Sequence, residues 1–314
     1  SNVDKFKPSY SFGDRSRSFL KIQDGCDYQC SYCTIPLARG KSRSPSLNSV
    51  IDSIKVLIDK GVKEVVLTGV NIGDFGINEN VKSRKNNFFD LLNQISKIND
   101  LKRLRISSIE PNLLNNDIID LVSEYEKILP HFHVPLQSGS DKILRLMKRR
   151  YMRNIYEKRF DYIKKRIPHA CIGSDVIVGF PGEDELEFKE TYNFLKSIDI
   201  SYLHVFSYSE RSNTKSVLID NKVSKNLKNK RSKLLRELSN SKKLKFYKKN
   251  IKNYHNVLFE NENKNGYIYG YTENYIRVKS LWSNYKKNKI LNCYLEGIDS
   301  NLNCIAERVV ELKV

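Results

Sequence analysis

Six times between Ser18 and Tyr208 a short apolar run is followed by a polar or glycine-bearing loop and then by a helical pattern. The apolar runs are Ser18–Gln23, Glu64–Val70, Arg103–Ser107, Phe132–Pro135, Ile172–Val178 and Tyr202–Tyr208. Between them lie helical stretches. Near Ser49–Lys60, residues Val50, Ile51, Ile54, Leu57 and Ile58 share one face and Gly61 offers a stop. Phe88–Ile98, the region of Ile118 to Val122, Lys142–Met147, Ile155–Arg166 and Glu185–Ser197 repeat the pattern. Strands joined by helical crossovers run parallel, and such crossovers are right-handed. The expected class is therefore α/β, a parallel sheet whose working loops gather at the carboxyl ends of its strands.

The flanking segments differ in texture. Residues 1–16 are polar and read as a linker, with no initiator Met. Residues 221–250 read as a basic helical connector whose apolar side is Leu227, Leu234, Leu235, Leu238 and Leu244. Residues 251–314 alternate with period two in five short runs, Val257–Glu260, Tyr267–Tyr271, Tyr275–Val278, Leu291–Leu295 and Ile305–Val310. That spacing predicts a small all-β barrel of the OB sort.

Charge is concentrated. Residues 221–250 hold 12 Lys/Arg against one Glu, and residues 141–166 hold 11 against three acids, together the whole net charge of +19. Compositional drift would spread lysine evenly, so the clustering points to a polyanion, most simply nucleic acid. No apolar run approaches the ~20 residues that span a bilayer, and no signal peptide opens the chain. Of six cysteines, Cys171, Cys293 and Cys304 are scattered, which fits a reduced, cytoplasmic setting.

The other three cysteines, Cys26, Cys30 and Cys33, fall within eight residues of one loop. A structural zinc or ordinary iron–sulfur site takes four protein ligands. A local triplet leaves one coordination position for something else, unless His131 or His133 completes a zinc site.

The triplet, with Tyr32 before its last member, resembles the signature of the radical S-adenosylmethionine (SAM) enzymes. The resemblance implies that the thiolates hold a [4Fe-4S] cluster whose fourth iron chelates SAM. It also implies that the six units form a partial (β/α)6 TIM-like barrel over residues 17–220. Further stretches are similar to one branch, the tRNA methylthiotransferases of the MtaB type. They are Gln23-Asp24-Gly25-Cys26 with Ile35 to Ser44, Leu67 to Gly73, Ser107 to Pro111, His133 to Ser140 and Asp175 to Glu183, in that order. Tyr208-Ser209-Glu210-Arg211 resembles the family's Tyr-Ser-x-Arg element, with Asn213-Thr214 in place of Gly-Thr. The C-terminal barrel resembles a TRAM RNA-binding domain.

That likeness implies roles. Tyr32, Gly69, Asn71, Ser108, Glu110, Gln137, Ser138, Asp175 and Gly179 would bind cofactor or base. Arg39, Arg43, Arg149, Arg150, Lys242, Lys243, Lys279 and Trp282 would bind RNA; His131 and His133 are assigned to neither. The implied enzyme removes hydrogen with a SAM-derived radical. It places a methylthio group at C2 of N6-threonylcarbamoyladenosine beside the anticodon. Its partners would be the tRNA anticodon stem-loop and a reduced flavodoxin or ferredoxin-like donor, with the chain a monomer and no membrane involved. Isopentenyladenosine tRNA or a ribosomal protein are alternative targets, and a non-catalytic zinc- and RNA-binding protein is the alternative class. Family members begin with a further domain carrying three more cysteines and an auxiliary [4Fe-4S] cluster. This sequence starts where that domain would end, so SAM and RNA binding are expected of it, with sulfur insertion impaired or absent.

Overall fold

The computed structural model describes residues 6, 9–11, 16–77 and 86–310. Strands β2 (Arg17–Lys21), β3 (Glu64–Thr68) and β4 (Arg103–Ile106) lie parallel and adjacent. Within the segment read as a linker, Ser9–Tyr10 forms β1, antiparallel to the outer edge of β2. Strands β5 (His131–His133), β6 (Cys171–Val178) and β7 (Tyr202–Ser207) form a second parallel sheet. Backbone bridges Leu104–Ile128 and Ser108–His133 carry the curvature from one sheet to the other. Spatial order follows chain order from β2 to β7, as short right-handed crossovers require.

The crossover helices are α1 (Ile35–Arg39), α2 (Leu47–Asp59), α3 (Phe88–Ser96), α4 (Asn116–Glu124), α5 (Asp141–Leu146), α6 (Arg153–Arg166) and α7 (Glu185–Ser197). Their starts are written in the sequence. Ser46 and Asn115 accept from backbone N–H groups of the first turn, and Asn87/Asp90 and Asp184/Glu187 make reciprocal capping boxes. Helix α1, five residues opened by a proline, has too little periodicity to be seen in the sequence. Apolar faces of these helices close on the strands in one core that runs from Leu20 and Val65 through Leu104 and Phe132 to Val176 and Leu203.

Helix α8 (Lys225–Lys248) lies against β7 and α7. Its contact face departs from the expected leucine stripe. Leu235 is buried but Leu234 is exposed, and polar anchors do much of the docking. Ser239 Oγ bonds both N and O of Leu203, at 2.8 and 3.1 Å. Buried Arg231 pairs with Glu183 at 2.7 Å.

Beyond it, β8 (Tyr254–Phe259), β9 (Tyr267–Thr272), β10 (Arg277–Leu281), β11 (Ile290–Ile298) and β12 (Cys304–Val310) close into a barrel in the order β10-β12-β11-β8-β9. The β10–β12 pair is parallel and the others antiparallel. Tyr275, expected in a strand, sits in the β9–β10 turn at φ 67°. Ile268, Gly270 and Thr272 face inward, so Tyr267, Tyr269 and Tyr271 line the outer face.

The two barrels meet at the amino ends of β3 and β4. Fully buried Glu64 holds Arg105 at 2.8 Å and Arg103 at 3.6 Å. Arg105 donates to the carbonyls of Thr272 and Glu273, and Arg103 to those of Tyr271 and Asn256, at 3.0–3.3 Å. Tyr275 packs over Arg105 and stacks on His131 with ring centroids 4.1 Å apart. Burial alone would raise the Glu64 carboxyl, but Arg105 and Arg103 outweigh it and hold it below its ordinary value of 4.5.

Removing one partner of such a buried pair costs about 3–5 kcal/mol, so Glu64→Gln should lower the urea midpoint sharply. Because the folded-state pKa is depressed, the wild-type advantage is fully present above pH 4.5 and fades as pH falls through the folded value. Urea titrations of both proteins from pH 7 downward check the size and sign.

Candidate functional site

The cysteine loop leaves the carboxyl end of β2 and is held open by one side chain. Buried Gln23 donates through Nε2 to Asp24 O, Gly25 O and Ser42 Oγ at 2.8–3.0 Å. Its Oε1 accepts from Asn71 N at 2.7 Å, which ties the loop to the one after β3. Gly25, at φ 69°, passes so close to Lys41 that a Cβ would lie 1.9 Å from the Lys41 carbonyl oxygen. Cys26 N donates to Gly40 O, and Ser42 N to Asp27 Oδ1. The far end is pinned by Ser31, whose N and Oγ donate to Met147 O and Leu146 O.

Cys26, Cys30 and Cys33 are each partly exposed at this barrel mouth, whereas Cys171, Cys293 and Cys304 are buried. Burial pushes the Cys26 thiol up to about 11 and raises Cys30, whereas Arg149 draws Cys30 down. The ligand atoms of one tetrahedral ion lie about 3–4 Å apart. Among the described residues, His133, Asp175 and His204 each bring one ligand atom to within 4.8 Å of the others. The Oδ1 of Asn71 is buried with no hydrogen-bond partner, and the Asn71 amide holds Asp74, whose charge reaches Cys26. An unsatisfied acceptor on a loop tied through Gln23 to the cysteine loop fits the amine of an amino-acid cofactor.

Glu110 and Arg149 form a buried ion pair at the same mouth. The other Arg149 nitrogen lies 3.1 Å from Cys30 Sγ and 3.4 Å from the Tyr32 hydroxyl. Desolvation raises the Glu110 carboxyl despite Arg149, and the Asp175 charge adds to the rise. Tyr32 meets Phe180 edge-on at 6.1 Å. Gly69 leaves no room for a side chain against Ile72 and Gln23, and Ser108 pairs through its backbone with His133. Gln137, at φ 66°, bridges Asp175 O and Ile177 N through its backbone.

Two expected RNA contacts, Arg149 and Lys242, turn inward, and several other expected residues have partners within the chain. Arg149 is not offered to phosphate; it is buried between Glu110 and Cys30. Lys242 is buried, its Nζ donating to the carbonyls of Lys196 and Ile198 at the end of α7. Ser138 is buried against Thr191 and the Ser140 N–H, so it shapes its loop. The Asp175 carboxylate faces His133 and His204. The Gly179 N–H is taken by Glu183 Oε1 at 2.9 Å, and Lys228 fills the space beside its Cα. Arg39, Arg43 and Lys21 converge on Asp24 at 3.1–3.3 Å and brace the cysteine loop.

Arg150 lies at the surface over the Tyr28 ring at 4.0 Å. Lys243 sits half-buried over Tyr247, Lys279 over Tyr267 and Lys287 over Trp282. Sequence reasoning missed the bracing by Gln23 and the Asn112–Tyr28 hydroxyl bond of 2.8 Å. Gln23 stands in the motif, yet nothing in its spacing announces four hydrogen bonds.

In the folded, cluster-free chain, iodoacetamide should label Cys26, Cys30 and Cys33 and spare the three buried thiols until urea unfolds the protein. Peptide mass mapping reads this directly, and early labelling of Cys293 or Cys304 would contradict the burial assigned to them.

Comparison with known proteins agrees with this geometry. The Radical SAM superfamily profile matches residues 20–195. The chain is 42% identical over 263 residues, 84% of its length, to the threonylcarbamoyladenosine tRNA methylthiotransferase MtaB of Aquifex aeolicus, of which it spans 62%. It is 39% identical over 216 residues, 68% of its length, to the tRNA-2-methylthio-N(6)-dimethylallyladenosine synthase of Lawsonia intracellularis, of which it spans 47%. The radical SAM methyltransferase TsrM of Kitasatospora setae aligns with 60% of this chain and 36% of its own, at a TM-score of 0.51 and 18% identity, a likeness of fold. The superfamily's cofactors are a [4Fe-4S] cluster and SAM, and the thiol trio and the unpartnered Asn71 oxygen suit both. This chain belongs to the radical SAM superfamily, and it is similar in sequence to MtaB methylthiotransferases over about 60% of their length.

Proposed function

We propose that this chain is the radical SAM and RNA-binding part of a cytoplasmic enzyme that methylthiolates C2 of N6-threonylcarbamoyladenosine beside the tRNA anticodon. The observation that carries the reading is the exposed trio Cys26, Cys30 and Cys33 at a barrel mouth, within a sequence similar to MtaB over 84% of its length. Two MtaB relatives are 42% and 40% identical to this chain, against 39%, 35% and 34% for three dimethylallyladenosine enzymes, which favours the threonylcarbamoyl target.

Cys26, Cys30 and Cys33 would hold the cluster, which when bound with SAM supplies an electron and, from it, a hydrogen-abstracting radical. The chain's own residues prepare the space. Gln23 and the Asp24 clamp fix the loop that carries the thiols. Asn71 Oδ1 offers an acceptor to the amine of the methionyl group. The Glu110–Arg149 pair holds a carboxylate and a cation at the mouth, where ribose hydroxyls or a carboxylate are recognised. Tyr32 and Phe180 wall the mouth with apolar surface that excludes water.

The closed C-terminal barrel supports an OB-like, TRAM-type RNA module, spanning about residues 251–314. Its five strands pair in the order first, second, third, fifth, fourth, with the third and fifth parallel. Tyr267 and Tyr269 on its outer face, with Lys279 and Trp282, form a platform for bases and phosphates. Lys225, Lys230, Lys233 and Arg236 are exposed along α8 and supply charge for the stem backbone. A reduced flavodoxin or ferredoxin-like protein is the proposed electron source. No described helix is long and apolar enough to cross a membrane. The chain spans 62% of the MtaB relative. Sulfur insertion, and any auxiliary cluster serving it, are therefore assigned to the whole protein.

Nucleoside mass spectrometry of tRNA from a strain lacking the gene tests the assignment. The expected result is loss of 2-methylthio-N6-threonylcarbamoyladenosine with its unmodified precursor retained, restored by the full-length gene but not by its Cys30→Ala form. Loss of the methylthio-isopentenyl nucleoside instead, or no change, would overturn it.

A further inference from the structure

We propose that His133, Asp175 and His204 form a second metal site on the barrel wall, for one divalent late first-row ion such as Zn2+. The three residues stand on adjacent strands β5, β6 and β7, and Asp175 and His204 are register partners. Asp175 Oδ1 lies 3.0 Å from His133 Nε2 and 3.3 Å from His204 Nδ1, and all three atoms fall within 4.8 Å. Nitrogen and oxygen ligands at about 2.0–2.1 Å from one ion sit about 3–3.4 Å apart. Two edges of the triangle already have that length.

The surroundings are those of a metal ligand set. Among the described residues no lysine or arginine pairs with Asp175, so a carboxylate in the barrel wall has no fixed cation of its own. Ordinary barrel carboxylates here are treated otherwise: Glu64, Glu110 and Glu183 each hold an arginine. His133 is braced from behind. Its Nδ1 lies 3.3 Å from the Tyr202 hydroxyl, which lies 2.9 Å from His131 Nε2. Without an ion Asp175 accepts from His133 Nε2–H; with an ion bound, His133 Nδ1–H would donate to Tyr202 and the phenol to His131, which frees His133 Nε2 for the metal. That is the tautomer a bound cation requires, fixed by an outer partner as metal-ligating histidines commonly are. Gly173 makes the bracing possible, because any side chain there would collide with the Tyr202 ring, its Cβ 2.0 Å from Cζ.

Two imidazoles and one carboxylate select zinc, iron, cobalt or nickel over magnesium or calcium, and leave coordination positions open to water or a substrate oxygen. The site does not depend on the target nucleoside proposed above.

The test uses the anaerobically cluster-loaded chain, whose cysteines are then occupied, dialysed against Zn2+ and measured for zinc and iron together. One zinc per chain is expected beyond the cluster iron. His204→Ala, at a half-exposed side chain that folding tolerates, should weaken zinc binding at least tenfold with iron unchanged. Asp175→Asn should do the same. The proposal is overturned if the loaded chain takes up no zinc, or if His204→Ala binds it as tightly as the wild type.

Discussion

The carboxamide of Gln23 is the constraint on which the site depends. It is fully buried at the end of β2 and makes four hydrogen bonds, to three points of the cysteine loop and to the loop after β3. A loop of polar residues has no apolar core of its own, so its shape must come from such bonds. The approach of Gly25 to Lys41 and the clamp of Lys21, Arg39 and Arg43 on Asp24 complete the frame. Burial and these cations work in opposite directions on Asp24, and the cations, with the Gly25 N–H, prevail and keep it ionised. Three thiols half-exposed on a braced loop can bind a cluster without the loop having to order itself first.

The basic character of the chain divides into two uses. Arg103, Arg105, Arg231 and Lys242 are buried and bonded, as is the side chain of Arg149, and they hold the fold and the mouth together. Breaking such pairs costs several kcal/mol, whereas exposed pairs such as Lys249 with Asp199 contribute at most about 1 kcal/mol. The exposed lysines of α8 add little to stability and are thereby free for a polyanion. The Glu64 cluster also sets geometry. It fastens the C-terminal barrel to the amino ends of the strands, with Tyr275 reaching in to stack on His131.

Much of this was legible in the sequence. All six strands and the crossover helices other than α1 appear where apolar periodicity puts them, because strands such as β3 and β4 are buried on both faces and α2, α3, α4 and α7 carry side-chain caps. The cysteine trio was legible because chance rarely sets three thiols in eight residues. What failed has a common physical cause. Arg149 and Lys242 look like any other cation in a basic run, and only packing shows which charges turn inward. Tyr275 was read as strand because alternation does not reveal a positive φ. The grouping of His133, Asp175 and His204 spans 72 residues of sequence and arises from strand register alone.

The central claim is that three thiolates hold a four-iron cluster and leave one iron for a sulfonium cofactor. Electron paramagnetic resonance of the anaerobically reconstituted, dithionite-reduced chain tests it most directly. The account predicts a [4Fe-4S]+ signal whose shape changes when SAM is added. A spectrum indifferent to SAM, or a reconstituted chain that holds zinc in place of iron at the cysteine loop, would contradict it.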